Sequence, residues 1–535
     1  MAHWCMASTL PSSPLPTDRH RREVLRWVAM LSTTSWWPGP AGAQVVRFTD
    51  NPYSLGVASG SPAPDGFVLW TRLLGVNPST HPAVAVQWEV WDDGRPDTPV
   101  AQGEVMALAE SGYAVHAEPS GLSPDRWYRY RFTAGGVRSP EGRTRTLPSA
   151  DTLPSRFRLA YASCQRWEDG HYGAYRHMAQ DAPDALVFLG DYIYEYASRK
   201  GPSVRSHTQP HVRDLAGYRQ RYALYRSDPL LQQMHAACPW WVTWDDHEVE
   251  NNYAGQLSTM GTADLPGLRL AAYRAFYEHM PIRRAAVVGG LQGLLAGRAL
   301  QVHTVADVGR LARLYLLDNR QYRSRPVCGP GVADRSWSVC TDTPEADRSM
   351  LGAEQERWLW AGFQEARRRG THWNVLAQQT RFTPGDYPKG VNGHPAADNW
   401  DGYPETRQRL VDALQREQVR NPLVLGGDIH QNWVARVHAD PFDVRSPVVA
   451  SEFCGTSITS THSATAQQSE RLRQRNPHCL LANAQQRGYG LVDLTPDQAT
   501  VTLRVLDDVT QADSPVSTLA RFEVPSGQGV RAAPA

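Results

Sequence analysis

The chain has 535 residues, 41% of them hydrophobic and 20% charged, enough apolar material for more than one packed core. Its 55 Lys and Arg against 54 Asp and Glu leave a net charge of +1, which excludes a global field that would recruit nucleic acid or an anionic membrane. Any anionic partner has to be held locally.

Residues 1–43 read as an export leader. Arg21 and Arg22 precede a short apolar stretch in RHRREVLRWVAMLS (19–32), and AGAQ (41–44) offers a small-residue cleavage point after Ala43. The pattern predicts a twin-arginine signal, hence the twin-arginine export machinery as a partner and a periplasmic or secreted destination. The plainer reading is an ordinary basic amphipathic N-terminus. Such export carries folded chains, often already holding a cofactor, so the leader points toward a metal. No other segment reaches the ~18 uninterrupted apolar residues of a membrane span. Of seven cysteines, Cys5 leaves with the leader. Cys328 and Cys340 flank a polar loop and suit a local disulfide, and Cys454 with Cys479 is a second candidate pair.

Residues 46–148 alternate in period two between turn residues, in GFVLWTRL, AVAVQWEVWDD, YAVHAE and RWYRYRFTAGG. This predicts a small antiparallel β-sandwich of immunoglobulin or fibronectin type, with RTRTLPSADTLPSR (143–156) as linker. Residues 157–530 then alternate strand and helix. FRLAYAS (157–163), DALVFLG (184–190), WWVTW (240–244), HWNVLAQ (372–378) and PLVLGG (422–427) read as buried strands. Helical stretches lie at 214–226, 266–280, 352–369 and 403–417. Segment 254–300 is otherwise uninformative.

The chemistry sits just past the end of each strand, in SCQ (163–165), GDYIY (190–194), DDHEVENN (245–252), AQQT (377–380) and GGDIHQN (426–432). Singly, each has a plainer reading. Asp191 is a helix cap, DDHE a solvated acidic loop, Asp428 with His430 a hydrogen-bonded pair, and Cys164 a small buried hydrophobe. Together, at successive strand ends, they would bury unpaired charge unless metals offset it. Carboxylate, phenolate, thiolate and imidazole suit a trivalent or borderline ion, while clustered Asp and Asn oxygens suit Ca²⁺. The mixture implies more than one metal.

The order Gly-Asp-x-x-Tyr, then Asp-His-Glu, then Gly-x-x-His resembles the calcineurin-like metallophosphoesterases. The forms ASCQ, GDYIYEY, WDDHEVENN, LDNRQYR and LGGDIHQN are similar to those of the PhoD-like alkaline phosphatases and phosphodiesterases, over nearly the whole mature chain. The resemblance implies an α/β metallophosphoesterase sandwich, two mixed sheets flanked by helices, behind the N-terminal β-sandwich. It also implies an exported, metal-dependent alkaline phosphatase or phosphodiesterase that cleaves phosphate esters with metal-activated hydroxide. Carried over by position, it implies Cys164, Asp191, Tyr194 and His430 around Fe³⁺, with Asp191 bridging to Ca²⁺. Asp246, Asn251 and Asp428 fall among the further metal ligands. His247 is implied as the general acid, and Arg320 is a candidate contact to substrate phosphate. Gln378 stands where the wider superfamily has a His ligand, which favours an oxygen-loving ion there.

Two other readings compete. A cysteine phosphatase built on Cys164 would want an Arg about six residues on, where the chain has Gly170. A cell-envelope binding protein with structural metals would close its site with one ligand type. Nucleic acid is expected at most as a substrate.

Overall fold

The computed structural model describes residues 46–95, 98–287, 300–325, 348–386, 398–441 and 443–533. The leader, with Arg21, Arg22 and Ala43, and the Cys328/Cys340 pair lie outside the described residues. The N-terminal strands are β1 (Val57–Ala63), β2 (Gly66–Arg72), β3 (Ala83–Asp92), β4 (Ala101–Leu108), β5 (Ala114–Ala117), β6 (Trp127–Ala134), β7 (Val137–Arg138) and β8 (Gly142–Arg145). Beyond them lie β9 (Phe157–Ala162), α1 (Gly173–Gln180), β10 (Ala185–Phe188), α2 (Leu215–Arg226), α3 (Pro229–Ala237), β11 (Trp240–Val242) and α4 (Leu265–His279). Next come β12 (Thr304–Val308), β13 (Ala312–Leu316), α5 (Ala353–Arg369), β14 (Trp373–Ala377), α6 (Pro404–Arg416) and β15 (Pro422–Gly426). The chain closes with β16 (Asn432–His438), β17 (Val448–Cys454), α7 (Ala466–Arg475), β18 (Cys479–Asn483), β19 (Arg487–Leu494), β20 (Gln498–Leu506), β21 (Val516–Pro525) and β22 (Arg531–Ala532).

Three sheets result. The largest runs β22-β21-β20-β19-β9-β10-β11-β1-β2-β5, the second β12-β13-β14-β15-β17-β16-β18, and the third β4-β3-β6-β7 with β8 also on β6. Strands β9, β10 and β11 are parallel, as are β13, β14, β15 and β17. Their unbroken apolar sequences follow from burial on both faces. Leu159, Tyr161, Val187 and Trp241 of the first sheet pack against Leu314, Val375, Leu423 and Phe453 of the second. Outside the first sheet, Leu186, Phe188 and Trp240 pack on Tyr175, Tyr222, Met234 and Phe276 of α1–α4. Outside the second, Tyr315, Leu376 and Val424 pack on Phe363 of α5 and Leu410 and Leu414 of α6. Two mixed sheets between helices therefore hold the parallel strand tips on a common edge.

The N-terminal part differs from a free-standing unit. Strands β1, β2 and β5 continue the largest sheet, because β1 pairs in parallel with the edge of β11 at Gly60 and Trp240. Their other face, with Phe67, Leu69 and Val115, shares a core with Val86, Val90, Tyr130 and Phe132 of the third sheet. The expected linker also begins later, since residues 142–145 pair with β6. Cys454 and Cys479 are both free, so the expected second disulfide does not form. They sit on β17 and β18, separated by β16. Two strand spacings, roughly 10 Å, exceed the reach of a disulfide. Among the described residues no helix is long and apolar enough to cross a membrane.

Candidate metal centre

The strand-end residues converge from two sheets, and the strands that deliver them are not consecutive, β12 and β13 falling between β11 and β14. Ligand atoms of Cys164, Asp191 and His430 lie within 4.8 Å of one another. So do those of Asp191, Asp246 and His247, and those of Asp245, Asp246 and Asp428. Asp191 belongs to the first two groups and Asp246 to the last two. Tyr194, three residues past Asp191, donates its hydroxyl to Asp191 Oδ2 at 2.7 Å and lies 3.3 Å from His430 Nε2.

The backbone is bent to achieve this. Cys164, Asp191, Asp428 and His430 all have positive φ, between 51° and 64°. Left-handed backbone costs a residue with a Cβ on the order of 1 kcal/mol. Four such residues at the tips of β9, β10 and β15 mark a site whose geometry outweighs local comfort. Gly190, at φ 107°, lets the β10 tip lie on β11, since a Cβ there would fall 2.4 Å from the Asp245 nitrogen. Glu248 fixes that approach by accepting from the backbone N–H of Tyr192 at 2.6 Å, Asp245 at 2.8 Å and Asp191 at 3.2 Å. Gln379 ties the sheets together, donating to Thr243 Oγ1 and to the carbonyls of Trp244 and Leu317, each at 2.9 Å.

Electrostatics argue for cations here. Burial raises the Asp191 carboxyl well above its usual range against the opposing pull of His247, and the charges of Asp246, Glu248 and Asp428 add to the rise. Burial, then the Asp191 charge, does the same to the Cys164 thiol and the Tyr194 phenol. Burial pushes Asp428 up to about 6 despite Arg320. Asp191 Oδ1 and Asp245 Oδ2 are buried with no hydrogen-bond partner. Orphaned carboxylate oxygens in a pocket that resists ionisation fit a site completed by positive charge. His430 fits the same role. Burial lowers its pKa to about 3, so the ring stays neutral, and Nδ1 bonds the Thr461 carbonyl at 3.0 Å, leaving Nε2 toward Tyr194 and Asp191.

His247 differs. Its Nδ1 lies 2.8 Å from Glu195 Oε2, and its ring packs 4.2 Å from that of Tyr194. Burial pulls its pKa down, but the carboxylates of Asp246, Glu195 and Asp191 outweigh this and hold it well above the ordinary imidazole range. Its ring is anchored on the Nδ1 side by Glu195.

Three residues sit otherwise than expected. Arg320 is fully buried, Nε donates to Asp245, Nη1 donates to both oxygens of Asp398 at 2.7 Å, and Nη2 makes no hydrogen bond. Its Nη2 lies 3.5 Å from Asp428 and 3.9 Å from Asp246, so it neutralises the carboxylate cluster. Asn251 meets the site through its backbone N–H, which donates to Glu195 at 3.0 Å. The amide beside Asp246 belongs to Asn252, which reaches Asp246 Oδ2 and Asp398 Oδ2 at 3.0 Å each. Gln378 has spent its oxygen on Asn319, Trp400 and the Thr380 N–H, so it is a structural residue. The buried, neutral thiol of Cys164 also disfavours the cysteine-nucleophile reading.

Other residues escaped the sequence reading: Glu195, Glu248, Gln379, Asp398 and Ser460. Ser460 follows β17, and its Oγ is 2.7 Å from the Tyr194 hydroxyl and 2.9 Å from the Cys164 carbonyl. The acids of GDYIYEY and DDHE stood in plain view beside the chosen ones. Their partners did not.

Comparison with known proteins identifies the family. The sequence model of the PhoD-like phosphatases matches residues 159–503, and that of the PhoD-like phosphatase N-terminal domain matches residues 40–148. Alkaline phosphatase D of Bacillus subtilis (strain 168) is 39% identical over 488 residues, covering 89% of this chain and 81% of that protein. A solved structure of PhoD superposes with a TM-score of 0.83 at 37% identity, over 92% of this chain and 94% of that one. The enzyme reading therefore stands and the binding-protein reading is set aside: the chain belongs to the PhoD-like phosphatase family and is a phosphoric ester hydrolase.

Proposed function

We propose that the chain is an exported, metal-dependent alkaline phosphatase and phosphodiesterase whose reaction centre is the pocket around Asp191. One observation carries this: Asp191 shares one cluster with Cys164 and His430 and a second with Asp246 and His247, Asp246 in turn belongs to an all-carboxylate cluster, and one Asp191 oxygen is unbonded in the interior. Cys164, Tyr194, His430 and Asp191 form a donor set suited to Fe³⁺. Asp246 and Asp428, with Asp191, suit Ca²⁺, and Asn252 rather than Asn251 is the candidate amide ligand. When bound, such cations supply Lewis acidity and a water of lowered pKa.

The chain's own residues do the rest. Asp191 and Asp246 fix the spacing of the two halves of the pocket. His247 holds a proton on Nε2, the ring atom that Glu195 does not occupy, and delivers it to the departing alkoxide oxygen. Glu195 keeps the ring oriented and favours its charged form. Arg320 balances Asp245 and Asp398 and offsets part of the charge of Asp246 and Asp428, which lets these carboxylates lie close enough together to hold cations.

Residues 157–530 carry this chemistry, and residues 46–148 cover the edge of the sheet that presents it. Arg21, Arg22 and Ala43 support processing by the twin-arginine route to the periplasm or the medium. The test is Asp191→Asn. Turnover of p-nitrophenyl phosphate should vanish and metal content by elemental analysis should fall, whereas a metal-free but fully active mutant would sink the reading. His247→Ala should lose turnover yet keep its metals, and loss of iron would make it a ligand instead.

A further inference from the structure

Arg320 is fully buried beside Asp245 and Asp398, whereas Arg166 is a partly exposed cation lying over the Tyr194 ring. It follows Cys164 by two residues, and its backbone N–H donates to Ser460 Oγ at 3.1 Å, the same oxygen that touches Tyr194. The guanidinium carbon lies 5.6 Å from the Tyr194 ring centre and 5.3 Å from that of Tyr196. Both rings pack on His247, at 4.2 and 5.2 Å. The guanidinium thus hangs one ring's width from the residue that delivers the proton.

Its orientation is fixed on one side only. Nε and Nη2 donate to Glu168 Oε2 at 3.3 and 3.1 Å. Nη1 makes no hydrogen bond to any of the described residues, and the side chain is 20% exposed. The carboxylates whose charges bear on it are Asp169 and Glu168, and both are shared: Asp169 accepts Arg199 Nη2 at 2.7 Å, while Glu168 accepts the Arg199 backbone N–H at 2.5 Å and lies 4.0 Å from His207. The result is a preorganised edge of N–H donors, open to solvent and backed by two aromatic faces.

We propose that Arg166 forms a phosphate-oxygen subsite that reads substrate charge, favouring dianionic phosphomonoesters over monoanionic diesters. The proposal rests on the Asp191 pocket being the reaction centre. A monoester at alkaline pH offers a second negative charge and a third terminal oxygen. A diester has replaced both with a carbon substituent. A guanidinium edge that is rigid, cationic and held before substrate arrives binds the first class more strongly.

The experiment compares the metal-loaded enzyme with Arg166→Met and Arg166→Lys on p-nitrophenyl phosphate and its bis ester. Inorganic phosphate serves as inhibitor, and metal content is measured alongside. In Arg166→Met the monoester KM and the phosphate inhibition constant should rise about 10- to 100-fold, as expected for a lost charge-assisted contact. kcat should stay within about threefold, since binding and not the proton transfer is affected. Diester KM should move far less, metals should be retained, and Arg166→Lys should recover part of the loss. Equal KM changes for both esters, unchanged phosphate inhibition, or loss of metal from Arg166→Met would each overturn the proposal. Failure of the underlying reading looks different, since Asp191→Asn would then keep its turnover whatever Arg166 does.

Discussion

Replacing Glu195 by Gln probes how the proton is handled. One oxygen of the buried Glu195 meets His247 Nδ1 at 2.8 Å and the other accepts the Asn251 N–H at 3.0 Å. A carboxamide has a single oxygen for these two donors. With its oxygen on His247 its NH₂ faces another N–H, and flipped it faces the ring. One hydrogen bond is lost either way, and the charge in both cases. A hydrogen bond to a charged group contributes about 1.5–3 kcal/mol, so kcat on p-nitrophenyl phosphate should drop about 10- to 150-fold with metal content unchanged. The pH profile should move as well. Glu195 is one of the carboxylates that outweigh burial and raise His247. Its loss lowers that pKa, so the alkaline limb of kcat, where His247 gives up its proton, shifts toward acid. Wild-type turnover with an unmoved limb would refute the positioning role, and loss of metal would assign Glu195 to the metal scaffold.

Glu248→Ala strands three buried N–H groups, and at about 1–3 kcal/mol each it should cost about 3–9 kcal/mol in urea unfolding. A loss under about 1 kcal/mol would show that the two strand tips do not depend on it. His116, buried where β5 meets α4 and hydrogen-bonded to the Met280 carbonyl at 3.0 Å, is pushed by burial from 6.5 down to about 4. It stays neutral in the fold while the unfolded chain takes up a proton, so stability is intact above pH 6.5 and is lost as pH falls toward 4. The difference amounts to about 3 kcal/mol, and His116→Gln should flatten that limb if its unfolding free energy is followed across the range. Arg21→Lys with Arg22→Lys should keep the protein in the cytoplasm by cell fractionation, and continued export would remove the twin-arginine reading.

Much of the parallel core was legible because strands buried on both faces leave continuous apolar runs with polar residues only at their ends. The helices expected at 214–226, 266–280, 352–369 and 403–417 appear as Leu215–Arg226, Leu265–His279, Ala353–Arg369 and Pro404–Arg416. In the C-terminal third, β20 alternates buried and half-buried residues and carried a period-two signal that went unread. β16 interleaves Asn432, Arg436 and His438 with apolar residues, and its place in the sheet comes from partners β17 and β18. Within the site, metal-ligand chemistry picks out Cys164, Asp191, Asp246, Asp428 and His430 by residue type alone. Glu248 and Gln379 act by satisfying backbone groups, and a sequence carries no mark of which N–H will be orphaned. The fate of Arg320 depends on Asp398, 78 residues away, and no local pattern announces such a partner.

The seam between β1 and β11 bears on how such chains can be rearranged. Deleting residues 46–148 would leave β11 as a raw edge and strip the cover from α4, so the larger part would be prone to stick to copies of itself. Transplanting that segment onto another scaffold would in turn require a host strand able to receive it in register. The two parts therefore have to be engineered as one piece, despite the change of pattern at residue 157.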